Sequence, residues 1–165
     1  MDFRPWGRFW IVGQRTGISL TRTTLRSRLT IFYVSSTTNH VNLERAQSSL
    51  QAARLCLQER LFDSAASRAY FAMFMMAICA LENRGIKRTE WTHKGVHSDF
   101  VFNFVRGRKI VPANFASALP TAMEIRHIAD YRQPGASQRQ AERVVRLAGE
   151  FSERLLTEML NASNP

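Results

Sequence analysis

The sequence predicts an all-α fold, an up-and-down bundle of four to five helices that follows an irregular basic N-terminal extension. Three observations support this prediction. From Val41 onward, apolar residues recur at alternating spacings of three and four, which is the period of a helix with one buried face. Helix-capping residues and helix breakers divide this region into segments joined by short loops. Because no segment in it alternates as a half-buried strand does, an antiparallel helical bundle is the expected architecture.

The first two helices differ in how much of their surface is apolar. The first has Asn42 as its predicted cap and ends near Arg60, and its single apolar stripe consists of Leu43, Ala46, Leu50, Ala53 and Leu57. The second starts after Asp63, a favourable N-cap residue, and stops at Gly85, a residue type common just past a helix end. Most of its circumference is apolar, so we expect it to be the central and most buried helix.

The third and fourth helices follow in a less regular part of the sequence. The third is predicted over Val96–Val105, and its expected core residues are Val96, Phe100, Phe104 and Val105. A turn with a run of basic residues, Arg106–Lys109, comes next. Pro112 suits the first turn of the fourth helix, which extends to about Arg132. Since Pro120 falls inside that stretch, we expect a kink or a restart of the helix there.

The fifth helix has the clearest start signal. Gln133–Ala136 breaks the preceding helix, and Ser137 with Gln140 forms the sequence pattern of a capping box. The helix is predicted to run to about Leu160. Its expected core face is formed by Ala141, Val144, Val145, Ala148, Phe151, Leu155 and Met159.

Composition and charge exclude several classes of protein. The 165 residues leave room for one main domain, which we predict over residues 41–165. Cys56 and Cys79 are too few for a disulfide-rich module and lie in no zinc-binding spacing. No stretch of about 18 residues is apolar without a charge, so we predict no membrane span. The sequence has no glycine-rich phosphate loop and no serine-hydrolase motif, and it implies no cofactor and no metal.

The first forty residues differ in composition from the rest. The chain has a formal net charge of +10, and residues 1–40 supply half of it from six arginines and one acidic residue. Three interpretations stay open: an organelle-targeting peptide, a basic arm that contacts nucleic acid, or a stretch upstream of a true translation start near Val34 or Val41. We favour the third and assign no functional residue to this segment.

Three segments of the chain resemble the HEPN family of helical domains, and in particular its UPF0332 branch. Ser67–Phe74 (SRAYFAMF) is similar to a HEPN helix that reads A-x-x-A-Y-Y-A-x-F. Thr92–Val96 (THKGV) resembles the T-H-K-G segment that follows it in this branch, and Arg126–Tyr131 (RHIADY) resembles its R-x-x-A-D-Y. The three segments occur in the family's order and spacing. Tyr70, His93 and Lys94 are thereby identified as family-motif residues.

The resemblance implies a fold and a set of possible functions. HEPN domains are small, often dimeric helical bundles; many cleave RNA without a metal, and many pair with a minimal nucleotidyltransferase as a toxin–antitoxin module. We therefore expect a cytoplasmic, homodimeric component of such a module that binds RNA or a nucleotide and pairs with a minimal nucleotidyltransferase. A metal-independent endoribonuclease toxin is one alternative. A helical interaction domain without a catalytic role is the other.

The family's active motif is an arginine, then four to six residues, then a histidine, and here the closing histidine is absent. Arg126 would be the motif's arginine, with His127 in the slot after it, but the closing positions hold Tyr131, Arg132 and Gln133. The sequence therefore leaves open whether the protein is an enzyme.

Metal-free cleavage of RNA requires a proton acceptor, a proton donor and a fixed cation for the phosphate. Arg126 could be the cation, since its planar fork matches phosphate oxygens, and Asp130 lies on the same helix face one turn later. His127 and Tyr131 form a second pair about 100° around the helix, on its outer side. His127 is a candidate general base, and by resemblance Tyr131 is a candidate for modification by the nucleotidyltransferase. Alternatively, Arg126 and Asp130 form only a surface ion pair worth a few tenths of a kcal/mol.

Other charged residues have a functional and a structural interpretation. The basic residues of the turn and of the fifth helix could follow a phosphate backbone or simply form a solvated face; they are Arg106, Arg108, Lys109, Arg139, Arg143 and Arg146. His97 lies four residues after His93, a spacing that can bind metal on a helix, but only Asp99 or Glu90 is near in sequence as a third ligand. We therefore predict no metal site.

Overall fold

The computed structural model describes residues 37–107 and 109–162, and these residues form five α-helices. They are α1 (Thr37–Gln58), α2 (Phe62–Asn83), α3 (His93–Phe100), α4 (Ala118–Tyr131) and α5 (Gln138–Ala162). A π-helical segment, Val101–Gly107, continues directly from α3, and a 3-10 turn, Ala113–Ser117, precedes α4. The prediction of an all-α bundle is confirmed. The predicted N-terminal extension lies outside the described residues except for its last four positions, and so does Arg108.

Helix α2 is the centre of the bundle, as its composition predicts. It packs against α1, α3, α4 and α5. Six of its alanines are fully buried and allow the other helices to approach closely; they are Ala65, Ala66, Ala69, Ala72, Ala77 and Ala80. The helix is long and apolar enough to cross a membrane, but 72% of its apolar window is buried inside the bundle. That degree of burial is the pattern of a core helix.

The predicted caps of the first two helices are wrong, because both helices start earlier than the sequence suggests. Helix α1 begins at Thr37, so Asn42 lies inside it, and its side-chain amide donates to Glu82 of α2 at 3.0 Å. Helix α2 begins at Phe62, so Asp63 lies in its first turn. There a carboxylate interacts favourably with the helix dipole, which agrees with the enrichment of aspartate near helix starts.

The carboxylate of Asp63 holds the connection between α4 and α5. Its Oδ1 accepts a hydrogen bond of 2.6 Å from the backbone N–H of Ala136, 73 residues further along the chain. Gly135 has a φ of +86°, and a Cβ added there would lie 2.6 Å from Asp63 Oδ1. Only glycine therefore allows this close approach. The capping box of α5 is confirmed, since Ser137 N–H donates to Gln140 Oε1 at 2.9 Å.

The third predicted helix is two structures in succession. It begins at His93, capped by Thr92, whose Oγ1 accepts from Gly95 N–H at 3.1 Å. After Phe100 the backbone continues as the π-helical segment, which takes in the start of the predicted basic turn at Arg106. The predicted core residues are all buried: Val96, Phe100, Phe104 and Val105.

The fourth helix restarts near its proline, as predicted. Pro112 caps the 3-10 turn, and the regular helix begins at Ala118, so Pro120 lies in its first turn and breaks no hydrogen bond there. The predicted core face of α5 is buried at every position: Ala141, Val144, Val145, Ala148, Phe151, Leu155 and Met159.

Candidate functional site

Tyr70 is the residue around which three helices bring polar side chains together. It lies on α2 and is 1% exposed. Its hydroxyl is 2.7 Å from Nδ1 of His93 and 3.2 Å from Nε2 of His97, both on α3. The two histidines are four residues apart and so face α2 from the same side of α3. A tyrosine hydroxyl has one proton, so it can donate to one of these rings and must accept from the other.

Arg126 reaches the same tyrosine from α4. Its guanidinium carbon lies 5.5 Å from the centre of the Tyr70 ring, within the range of a cation–π contact. Its Nε donates to Oδ2 of Asp130 at 3.0 Å, and the other carboxylate oxygen of Asp130 accepts from the hydroxyl of Ser67 on α2. Contacts from two helices therefore fix the orientation of the guanidinium.

The oriented guanidinium of Arg126 has hydrogen-bond donors that the described residues do not use. The side chain of Arg126 is 30% exposed. Within the described part of the chain, its two terminal amino groups donate no hydrogen bond and form no ion pair. Since a guanidinium has five N–H donors and Nε uses one, four donors remain for a ligand.

The surroundings of the site keep both histidines neutral at neutral pH. Burial lowers the pKa of His93 below its usual 6.5, and electrostatic interactions with Arg126 and His127 lower it further. Burial also lowers the pKa of His97, with a smaller contribution from His93. The pKa of Tyr70 rises to about 12, because burial disfavours the phenolate more than Arg126 favours it. The site therefore combines one fixed cation with two uncharged imidazoles.

The two histidines should make stability depend on pH. A histidine whose pKa is lower in the folded chain binds its proton more readily when unfolded, so the free energy of unfolding falls as pH drops below about 6.5. We expect the urea midpoint to decrease between about pH 6.5 and 5. A His93→Gln, His97→Gln double variant should show a shallower decrease, measured by circular dichroism at each pH. An equal slope in both proteins would contradict this prediction.

Some of the residues predicted from the sequence meet at the site and others do not. Tyr70, His93, Arg126 and Asp130 come together as described. His127 and Tyr131 lie on the outer side of α4, as predicted, with ring centroids 5.8 Å apart, and Tyr131 is 76% exposed. The side chain of Lys94 is exposed on α3.

The predicted basic residues are distributed over separate elements. Arg139 and Arg143 are exposed on α5, whereas the polar side chains described above at Tyr70 come from α2, α3 and α4. Arg106 is exposed on the π-helical segment that continues from α3, and Lys109 is exposed two residues after that segment. Among the described basic residues that we predict to contact phosphate, Arg106 therefore lies on the element that adjoins the site.

Sequence reasoning gave no site role to Ser67 and considered His97 only as a metal ligand. Ser67 lies one turn before Tyr70, within the segment that resembles the HEPN helix, so its position faces the same neighbours. His97 lies one turn after His93, and that spacing was a signal that both rings could face one partner. Within the described residues, no group of three histidine, cysteine, aspartate or glutamate side chains is arranged to hold a metal ion.

Comparison with known proteins agrees with this architecture. Residues 40–159 match the family model described as HEPN domain. The UPF0332 protein glr0978 of Gloeobacter violaceus is 34% identical over 89 residues, which cover 54% of this chain and 68% of that protein.

Proposed function

The chain belongs to the HEPN domain family, and on that premise we propose that it binds a phosphate group of RNA or of a nucleotide through Arg126. The observation that supports this proposal is that the Arg126 guanidinium is oriented and has unused hydrogen-bond donors. Asp130 and the Tyr70 ring orient it, while its terminal amino groups form no bond within the described residues. An oriented arginine with donors in reserve matches the geometry of phosphate oxygens.

The neighbouring imidazoles are compatible with an anion at this position. Neutral histidines leave Arg126 as the local source of positive charge. Because the Tyr70 hydroxyl donates to one imidazole and accepts from the other, one ring keeps its N–H for a phosphate oxygen and the other keeps an acceptor nitrogen. Among the described residues, Asp130 is the ion-pair partner of Arg126, and the two side chains are about 30% exposed. An anionic ligand can therefore reach the guanidinium without breaking the fold.

The family resemblance supports the rest of the proposal. Many HEPN domains pair with a minimal nucleotidyltransferase in toxin–antitoxin modules, and by that resemblance we propose the same partner, a homodimer and a cytoplasmic location here. Tyr131 is exposed at the end of the motif, where a partner enzyme can reach its hydroxyl. Co-expression of the nucleotidyltransferase encoded nearest to this chain, followed by affinity purification and mass analysis of Tyr131, tests this part directly.

A second candidate function is metal-independent cleavage of RNA. One observation favours it: His93 and His97 of α3 contact Tyr70, and Arg126 of the motif that lacks its closing histidine contacts the same tyrosine. A neutral imidazole can take the proton of a ribose 2′-hydroxyl, and Arg126 can stabilise the charge that develops on the phosphate. The acid–base group would then come from a different helix than the family pattern places it on.

One experiment separates the two functions. The full chain is incubated in EDTA with labelled tRNA and with a labelled single-stranded mRNA fragment, at several salt concentrations. Binding that weakens with salt and leaves the RNA intact supports the binding function. Cleavage that survives EDTA and disappears in His93→Gln supports the endoribonuclease. Absence of both binding and cleavage at low salt would contradict the proposed function.

A further inference from the structure

Phe102 is a large aromatic side chain that the fold leaves in water. It is 70% exposed and lies on the π-helical segment after α3. The two phenylalanines on either side of it in the sequence, Phe100 and Phe104, are fully buried, and their rings stack with centroids 5.3 Å apart. The end of α3 and the π-helical segment therefore place Phe100 and Phe104 in the core and Phe102 on the surface.

The backbone that carries Phe102 is closely constrained. A Cβ added at Gly107 would lie 2.7 Å from the carbonyl oxygen of Phe102, so the π-helical turn requires glycine at its end. The carbonyl oxygen of Phe104 accepts hydrogen bonds from the N–H groups of Ile110 and Val111. These contacts and the buried neighbouring rings hold the exposed ring on a rigid support. Short π-helical segments inside helices are frequent at functional sites.

Phe102 borders a depression that leads towards the site. The depression is lined by His97, Ser98, Val101, Phe102 and Arg106, and none of these described lining residues is acidic. His97 also lines a second depression, with Pro120, Met123, Glu124, His127 and Arg132. Because His97 is hydrogen bonded to Tyr70, the same histidine connects both surfaces to the side chains around Arg126.

We propose that this surface binds single-stranded RNA, with one base stacked on Phe102 and a backbone phosphate next to Arg106. This inference rests on the proposed function and extends it from one phosphate to a strand. An exposed ring on a rigid element beside a cation is the arrangement with which proteins bind unpaired bases without reading their sequence. A duplex offers no free base face, so the proposal excludes double-stranded RNA as the preferred ligand.

The charge of the first depression favours RNA over a protein partner as the occupant. Arg106 is its charged lining residue, and an apolar ring beside an arginine complements a base beside a phosphate. A protein partner that covered Phe102 would use its apolar area, which an aliphatic side chain could replace, whereas base stacking requires a π face. That difference allows the two occupants to be distinguished by substitution.

The test measures the affinity of the full chain for a labelled 12-nucleotide single strand and for a hairpin duplex by fluorescence anisotropy. Phe102→Ala and Phe102→Leu are expected to weaken single-strand binding about five- to hundredfold, the range that alanine substitution of a stacking aromatic gives. Phe102→Trp should retain binding, and its emission should be quenched by the single strand. Arg106→Gln should reduce the slope of log affinity against log salt concentration by about 1, the contribution of one phosphate contact. The exposed Leu160 on α5 supplies a control, and Leu160→Ala should bind as the unmodified chain does.

Several outcomes would overturn the proposal. If the unmodified chain binds RNA and Phe102→Ala binds equally well, the stacking site is wrong while the proposed function stands. If Phe102→Leu retains binding that Phe102→Ala loses, the ring makes an apolar contact and no stack. If the Phe102 variants change only self-association or nucleotidyltransferase capture, the surface belongs to a protein partner. If the unmodified chain binds neither the single strand nor the hairpin duplex, the proposed function fails, and this inference fails with it.

Discussion

Replacing Arg126 by glutamine is expected to weaken RNA binding about ten- to hundredfold. Hydrogen bonds between a charged donor and an acceptor contribute about 1.5–3 kcal/mol, and each 1.4 kcal/mol is tenfold in affinity. Arg126→Lys should restore only part of the loss, because an ammonium group lacks the planar fork that Asp130 and the Tyr70 ring orient. Anisotropy with the labelled single strand, repeated across salt concentrations, measures both effects.

Arg88 provides a matched control for the Arg126 variants. It also donates from Nε to an aspartate, at 2.7 Å from Asp99, and it carries the same charge. Its guanidinium lies over the ring of Trp91 as that of Arg126 lies over Tyr70. Arg88→Gln should therefore change affinity only through net charge. Equal losses in the two glutamine variants would contradict a specific phosphate site at Arg126 and indicate a diffuse electrostatic effect.

The largest effect on stability is expected at Tyr70. Truncation of a fully buried aromatic ring to alanine costs about 3–5 kcal/mol, which is a large part of the stability of a domain of this size. Tyr70→Ala should therefore unfold at much lower urea. Tyr70→Phe keeps the ring and loses the hydroxyl shared by His93 and His97, so it should cost about 0.5–1.5 kcal/mol.

Tyr131 is the matched control for these variants, since its ring is exposed and Tyr131→Ala should change the free energy of unfolding by less than about 0.5 kcal/mol. The Tyr70→Phe variant has a second readout that a general packing defect would not change. Nitrogen-15 spectra of the imidazoles should show one fixed tautomer for each of His93 and His97 in the unmodified chain and a mixture in Tyr70→Phe. The same tautomers in both proteins would contradict the shared hydroxyl.

The helices could be predicted from the sequence because each buries one face, and that burial leaves a period of three to four. The boundaries were less predictable, because a cap is defined by partners that are distant in sequence. Asn42 has a typical capping side chain, yet it bonds Glu82 of the next helix. The π-helical segment was not predictable for a related reason: it differs from an α-helix in its backbone bonding, while its buried residues follow the same pattern.

The same distinction applies to the candidate site: its contact within one helix could be predicted, and its contacts between helices could not. The Arg126–Asp130 pair could be predicted from a spacing of four within one helix, and the structure has it. The contact of Tyr70 with His93 and His97 joins two helices, and no local pattern specifies how they are oriented to each other. The resemblance to HEPN proteins singled out Tyr70 and His93 but gave no distance between them. The exposure of Phe102 could not be predicted, because it depends on which face of α3 and of the π-helical segment packs against the core.

The close approach of the Asp63 carboxylate to the backbone at Gly135 links two positions that are distant in the sequence. A side chain at position 135 would occupy the space of the Asp63 carboxylate, so the two positions constrain each other although they lie on different helical hairpins. A protein engineer who grafts a longer or more varied connection between α4 and α5 must therefore also redesign the first turn of α2. Among natural relatives, we expect glycine at position 135 wherever position 63 is acidic; where it is not, the φ of +86° still limits position 135 to glycine or asparagine.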